Sequence, residues 1–216
     1  MLPEDDCLAS VKLFNQFAER YAEKYFDLEQ YDRFYAMFAA QLPHAARVID
    51  IACGPGNVSA YLLRHRPDLS LTGVDLAPKM IDIARQRVPA GQFFVGDCRR
   101  LHELATDCDG AVFAFGLSYL NQTDAEQFFT SLNRVLNADA VLLLSTISAS
   151  ESSSRYERSS SGDELLTVYR TPQKISDMLV SYGFEVQFVE LVASPANAPS
   201  PTQDVVLIAK KLTQQI

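Results

Sequence analysis

Cysteine and histidine are scarce, basic residues are outnumbered, and no apolar run reaches the roughly 20 residues of a membrane span. The four cysteines (Cys7, Cys53, Cys98 and Cys108) form no CxxC pair and the three histidines lie far apart, so zinc-ligand spacing is absent and no metal is expected. Against 27 acidic residues stand 19 basic ones, a formal charge of −8 that repels polyanions overall and makes nucleic acid a disfavoured partner. The opening Met1-Leu2-Pro3-Glu4-Asp5-Asp6 is acidic where a secretory signal needs a basic region. A cytoplasmic protein with reduced thiols and no membrane partner is therefore expected. Oligomeric state has no signature here.

What is present is a chain of 216 residues, 48% of them hydrophobic, enough for one sizeable core and a small appendage. From Cys7 to Gln41 apolar and aromatic residues recur at helical spacing (Phe14, Phe17, Tyr21, Tyr25, then Tyr31, Phe34, Tyr35, Phe38), which predicts two amphipathic helices capping the core over residues 1–45. Strands are predicted at Arg47–Ile51, Leu69–Val74, Gln92–Val95, Gly110–Ala114 and Ala140–Thr146. Between them fall helices at Val58–His65, Pro78–Val88 and Asp124–Leu136. Such alternation calls for a parallel sheet covered on both faces, with right-handed crossovers. The serine-rich stretch Ser148–Asp163 breaks the rhythm and reads as an excursion over 148–170, either a lid or a disordered insertion. Leu165–Tyr169, a helix at Pro172–Tyr182 and strands at Phe184–Leu191 and Val205–Ala209 follow. The last two strands are joined without a helix by the Pro-rich loop Ser194–Thr202, so they can pair antiparallel at the sheet edge.

Ligands of open parallel sheets bind beyond the carboxyl ends of the strands, which directs attention to the residues just past each one. After the first strand comes Asp50-Ile51-Ala52-Cys53-Gly54-Pro55-Gly56-Asn57, where two glycines let backbone amides approach a ligand and let the turn take positive φ. After the second stands Asp75, about twenty residues on, the offset at which a carboxylate accepts hydrogen bonds from ribose hydroxyls. A cap for the helix beginning near Pro78 is the plainer reading of that aspartate. After the third comes Gly96-Asp97-Cys98, whose carboxylate either takes an adenine amino group or closes a turn.

The run Val48-Ile49-Asp50-Ile51-Ala52-Cys53-Gly54-Pro55-Gly56-Asn57 resembles the first motif of class I S-adenosylmethionine-dependent methyltransferases. Leu71 to Met80 and Phe94 to Cys98 are similar to the family's second and third segments. The resemblance implies a Rossmann-like, doubly wound α/β fold with a seven-stranded, mostly parallel sheet whose last strand is antiparallel. It implies S-adenosylmethionine as cofactor, S-adenosylhomocysteine as its product, and a small-molecule acceptor. Asp50 and the backbone of Ala52, Cys53, Gly54 and Gly56, with Asn57 ending the motif, would face the methionine part, with Asp75 on the ribose. Leu76 and Met80 would flank the adenine, Asp97 and the Cys98 amide would meet its edge, and Phe115-Gly116 would line the reactive methyl. Phe17-Ala18-Glu19-Arg20-Tyr21-Ala22 resembles a helix that, in many small-molecule members, folds a tyrosine over the cofactor. That role falls to Tyr21, although an aromatic stripe at helical spacing also suits plain core packing. Ala52 departs from the family's usual glycine.

A nicotinamide dinucleotide is the competing cofactor, but its fingerprint wants glycine where Ser59 stands. A protein that only binds the cofactor, as a sensor or accessory subunit, is the competing function. Methyl transfer from a sulfonium needs positioning and desolvation more than a dedicated catalytic residue, so none is assigned. Acceptor contacts are sought among Tyr21, Tyr25, Tyr31, Leu117 to Asn121 and residues 148–170. His102 is read as a surface or capping residue rather than a base, and Arg99 and Arg100 as solvated surface.

Overall fold

The strand Arg47–Ile51 is apolar except for Arg47 and Asp50 and buried from Val48 onward, because a parallel strand at the middle of a sheet is covered on both faces. In a computed structural model, which describes residues 6–158, 164–195 and 202–213, this strand, β1, sits third in a seven-stranded sheet. Its companions are β2 (Ser70–Asp75), β3 (Gln92–Val95), β4 (Cys108–Ala114), β5 (Leu136–Ser148), β8 (Phe184–Ala193) and β9 (Gln203–Lys211), in the order β3-β2-β1-β4-β5-β9-β8. The pairs β1–β2, β1–β4, β2–β3 and β4–β5 are parallel, and β9 runs antiparallel to both its neighbours. The two closing strands thus pair antiparallel at the edge as expected, with the last strand inserted inside and β8 outermost.

Helices α4 (Asn57–His65), α5 (Pro78–Arg87), α6 (Gln122–Val135) and α7 (Pro172–Ser181) fall within a few residues of their predicted bounds. Pro78 and Pro172 stand in the first turns of α5 and α7, where the missing N–H costs nothing. Thr171 and Asn121 cap α7 and α6 by accepting the amides of Lys174 and Asp124. Core residues on one sheet face (Phe113, Leu142, Leu144, Leu207) pack with Phe128, Phe129 and Leu132 of α6, and those on the other (Val48, Val112, Leu143, Ile208) with Phe34, Phe38 and Leu62.

Two expectations need correction. The opening segment forms three helices rather than two: α1 (Asp6–Gln16), α2 (Ala18–Tyr25) and α3 (Asp32–Gln41), the last preceded by a 3₁₀ turn, Glu29–Tyr31. Phe17, at φ −107° and ψ 19°, leaves the helical region and divides what the aromatic spacing presents as one stripe. The excursion is built as strands: β6 (Ser153–Arg158) pairs antiparallel with β7 (Glu164–Tyr169) in a separate two-stranded sheet. Its Ser and Thr content disguises a strand because exposed hairpin positions tolerate polar residues. Residues 159–163, in sequence between these strands, and residues 196–201 of the Pro-rich stretch lie outside the described residues.

Candidate functional site

The turn after β1 is tightly specified by backbone geometry. Ala52, Gly54 and Gly56 all take positive φ, at 52°, 54° and 85°. A Cβ on Gly56 would meet Val88 Cγ2 at 3.2 Å and Ala84 Cβ at 3.3 Å, so glycine here also lets the start of α4 approach α5. Ala52 occupies a left-handed conformation that its methyl group makes costly, which supplies the physical reason why glycine suits that position. Phe115, at φ 61° just past β4, is strained in the same way, and such strain gathers at binding sites.

Asp75 at the end of β2 joins this turn to the next element. Its Oδ2 accepts the Gly54 amide at 2.9 Å and its Oδ1 the Ala77 amide at 2.8 Å. Each oxygen retains acceptor capacity for a further donor. Burial pushes this carboxyl above its ordinary range against the pull of those amides.

Around these residues opens a cavity beyond the carboxyl ends of β1, β2, β3 and β4. Ala52, Gly54, Asp75, Leu76, Met80, Asp97, Cys98 and Phe115, all singled out from the sequence, line it, and Tyr21 lies over the glycine turn. Its remaining wall comes from residues at and beyond the ends of β2, β3 and β4, among them Tyr119 and Leu120, and from Cys7, Ser10, Val11 and Phe14 of α1. The contribution of α1 has no signature in the sequence, because periodicity identifies a helix with an apolar stripe but not what the stripe covers.

Asp50, Cys53, Gly56 and Asn57 stand behind the wall rather than in it. Asp50 is 1% exposed, its Oδ2 accepting Ser59 Oγ at 2.6 Å while Oδ1 has no hydrogen-bond partner. Cys53 is buried against the turn, its amide bonded to the Val74 carbonyl at 3.1 Å, and Asn57 begins α4. These four shape the turn from beneath. Asp97 does line the cavity, but it also closes its own turn, accepting the Arg99 amide at 2.8 Å and the Arg99 guanidinium at 2.7 Å and 3.0 Å. Arg99 in turn reaches Asp124 at 2.8 Å, so it is a brace between the turn and α6 and not solvated surface. His102 lies exposed outside the cavity, its Nδ1 3.0 Å from Ser131 Oγ, and Arg100 pairs with Glu103.

Asp50 makes one electrostatic prediction. Burial, opposed by the Ser59 bonds and reinforced by nearby Asp75, raises its pKa to about 7, from about 3.9 in an unfolded chain. The native state therefore holds this proton between about pH 4 and pH 7 when the unfolded state has released it, so the stabilisation is full below pH 4 and is lost as pH rises through 7. Asp50→Asn never ionises. Its stability relative to the parent should thus rise between pH 5 and pH 8, read from urea midpoints; an unchanged difference at the two pH values would remove this assignment.

Residues 48–139 match a family model described as a methyltransferase domain. Demethylmenaquinone methyltransferase of Thermotoga maritima is 35% identical over 98 residues, covering 45% of this chain and 42% of that protein. Trans-aconitate 2-methyltransferase of Escherichia coli O7:K1 is 38% identical over 97 residues, covering 44% and 36%. The chain thus spans less than half the length of these curated relatives. In overall shape it is similar to 1,6-didemethyltoxoflavin-N1-methyltransferase of Burkholderia thailandensis, solved with 1,6-didemethyltoxoflavin and S-adenosylhomocysteine. There the TM-score is 0.77 at 19% identity, over 99% of this chain and 92% of that one. Sheet order and glycine turn define a Rossmann-like methyltransferase fold. The match to a methyltransferase domain is confined to residues 48–139, while the likeness in fold extends over nearly the whole chain.

Proposed function

We propose that this chain binds S-adenosylmethionine in the cavity and catalyses transfer of its methyl group to a small molecule. The observation that carries this reading is the coupling of the glycine turn to Asp75: one carboxylate, held by the amides of Gly54 and Ala77, stands at the cavity with acceptor capacity to spare. It accepts from the ribose hydroxyls, while Leu76 and Met80 flank the adenine and Asp97, fixed by Arg99, faces its edge. Tyr21 closes over the turn, and Phe115 and Gly116 line the end where the acceptor enters. A methyl sulfonium supplies a carbon already bonded to a good leaving group, so what the residues contribute is alignment and exclusion of water.

As part of the same reading, the chain acts as one domain, with residues 1–45 as a helical cap and residues 148–170 as a cover beside the cavity. Contacts of β7 with α1 and with the Leu117–Tyr119 turn support that placement of the cover. The charge of −8 supports a small-molecule acceptor over a nucleic acid. Among the described residues no helix is long and apolar enough to cross a membrane.

Titration calorimetry with S-adenosylhomocysteine tests the binding step. Saturable one-to-one binding is expected, with added amide-exchange protection on α1 and on residues 153–158. A flat titration of folded protein overturns the proposal. Release of S-adenosylhomocysteine when S-adenosylmethionine and a metabolite pool are supplied separates an enzyme from a protein that only binds the cofactor.

A further inference from the structure

The cavity wall contains two carboxylates, Asp75 and Asp97, and no lysine, arginine or histidine among the described residues. Its outer part is aromatic. Phe14 meets Tyr119 edge-on with centroids 5.1 Å apart and Tyr21 at 5.8 Å, and Phe115 is met edge-on by Tyr31 at 5.2 Å. Cations nearby are committed elsewhere. Arg99 binds Asp97 and Asp124, Arg155 binds Glu157, and Arg170 is buried with its guanidinium on the Leu117 and Leu120 carbonyls. Lys24 lies 4.9 Å over the Tyr25 ring, one helical turn from the wall on exposed α2 surface.

The charges that do reach these rings are negative. Tyr119 feels Glu157, Tyr21 feels Asp75, and Tyr31 donates to Asp204 Oδ2 at 2.6 Å while Asp204 Oδ1 stays buried without a hydrogen-bond partner. Burial above all, together with these charges, raises the phenols well above their ordinary range, so they stay protonated and the rings keep their electron-rich faces.

We propose that the space walled by Phe14, Tyr21, Phe115 and Tyr119 receives a nitrogen acceptor, an amine or N–H heterocycle that reacts through its free lone pair and becomes cationic as it is methylated. This rests on the methyltransferase reading above. In the step, the acceptor nitrogen's lone pair forms the N–C bond as the C–S bond breaks and its electron pair stays on sulfur. The positive charge passes from sulfur to nitrogen without leaving the aromatic enclosure, and the surplus proton departs afterwards to water. Ring faces attract such a charge throughout the transfer. A carboxylate or phenolate acceptor would find no lysine, arginine or histidine in the wall to meet its charge, which leaves the sulfonium alone to offset its desolvation.

The test needs no knowledge of the natural acceptor. Protein saturated with S-adenosylhomocysteine is titrated with benzyltrimethylammonium, with its uncharged carbon analogue neopentylbenzene, and with benzoate. The ammonium should bind about tenfold more tightly than either. Tyr119→Phe, which keeps the ring, should retain that preference, and Tyr119→Leu should lose most of it, with S-adenosylhomocysteine affinity measured for each variant to show that the site persists. Equal binding by the carbon analogue, tighter binding by benzoate, no binding by the ammonium, or loss of preference in Tyr119→Phe would each overturn the inference. If S-adenosylhomocysteine itself fails to bind, the methyltransferase reading fails and takes the inference with it. Normal S-adenosylhomocysteine binding with an anion preference overturns the inference alone.

Discussion

Replacing Asp75 by alanine is expected to weaken S-adenosylhomocysteine binding by about 1.5–3 kcal/mol, the range for hydrogen bonds made to a charged group. Two losses combine. The carboxylate is the acceptor for the ribose hydroxyls, and it also fixes the Gly54 and Ala77 amides at 2.9 Å and 2.8 Å. Without it, two amides at the cavity lose their partner and the glycine turn loses its anchor to β2. Asp75→Asn keeps one carbonyl oxygen, so it should hold part of the turn and fall between parent and alanine variant. Calorimetric titration of all three proteins, with urea midpoints to show that each is folded, settles the matter. Unchanged affinity in Asp75→Ala would remove the residue from the site.

The Arg170→Met variant is expected to be less stable by about 1–3 kcal/mol, the cost of a buried acceptor left unpaired, because the Leu120 carbonyl loses its donor while the Leu117 and Asn121 carbonyls keep one backbone amide each. Arg170 is 4% exposed and has no carboxylate partner; its donors go to the carbonyls of Leu117 at 2.9 Å, Leu120 at 2.7 Å and Asn121 at 3.5 Å. Desolvation alone brings its pKa down to about 10, which leaves it charged at neutral pH. An apolar residue of similar length removes the desolvation cost of the cation, and where a buried ion pair is replaced whole that gain can dominate. Here the carbonyl partners remain, so their loss outweighs it. Arg170→Lys should recover little, because one ammonium cannot span the same acceptors as a planar fork. For a domain of this size the methionine variant should melt about 2–12 °C lower. Because these carbonyls belong to the turn that carries Tyr119, kcat/KM should fall as well. A melting temperature within a degree of the parent would show that the carbonyls find other donors.

Much of the frame was legible in the sequence. Apolar runs of strand length alternating with amphipathic segments give a parallel sheet almost by necessity, and the helix-free link before Val205 gives the antiparallel pair. Residues at strand ends were also legible, since a glycine pair and three aspartates fall at positions that topology brings to one edge. What escaped was side-chain direction and long-range pairing. Nothing local shows that Asp50 turns down toward Ser59 while Asp75 faces the cavity, or that Arg99 folds back on Asp97. Tyr31 and Asp204 are 173 residues apart, and their hydrogen bond exists only because β9 inserts beside β5 under the opening helices. The hairpin β6–β7 escaped for another reason: a polar, serine-rich strand has almost none of the alternation by which strands are recognised.

That late insertion also governs assembly during synthesis. β5 is apolar over Val141–Leu144 and pairs on one side with β4, but its other edge is completed only by residues 203–211, some sixty positions downstream. Until that stretch has left the ribosome, the nascent chain presents a long, sticky strand with open amides and carbonyls, a template for pairing with any neighbouring polypeptide. A strand that contributes no side chain to the cavity wall thus shields the growing protein from aggregation.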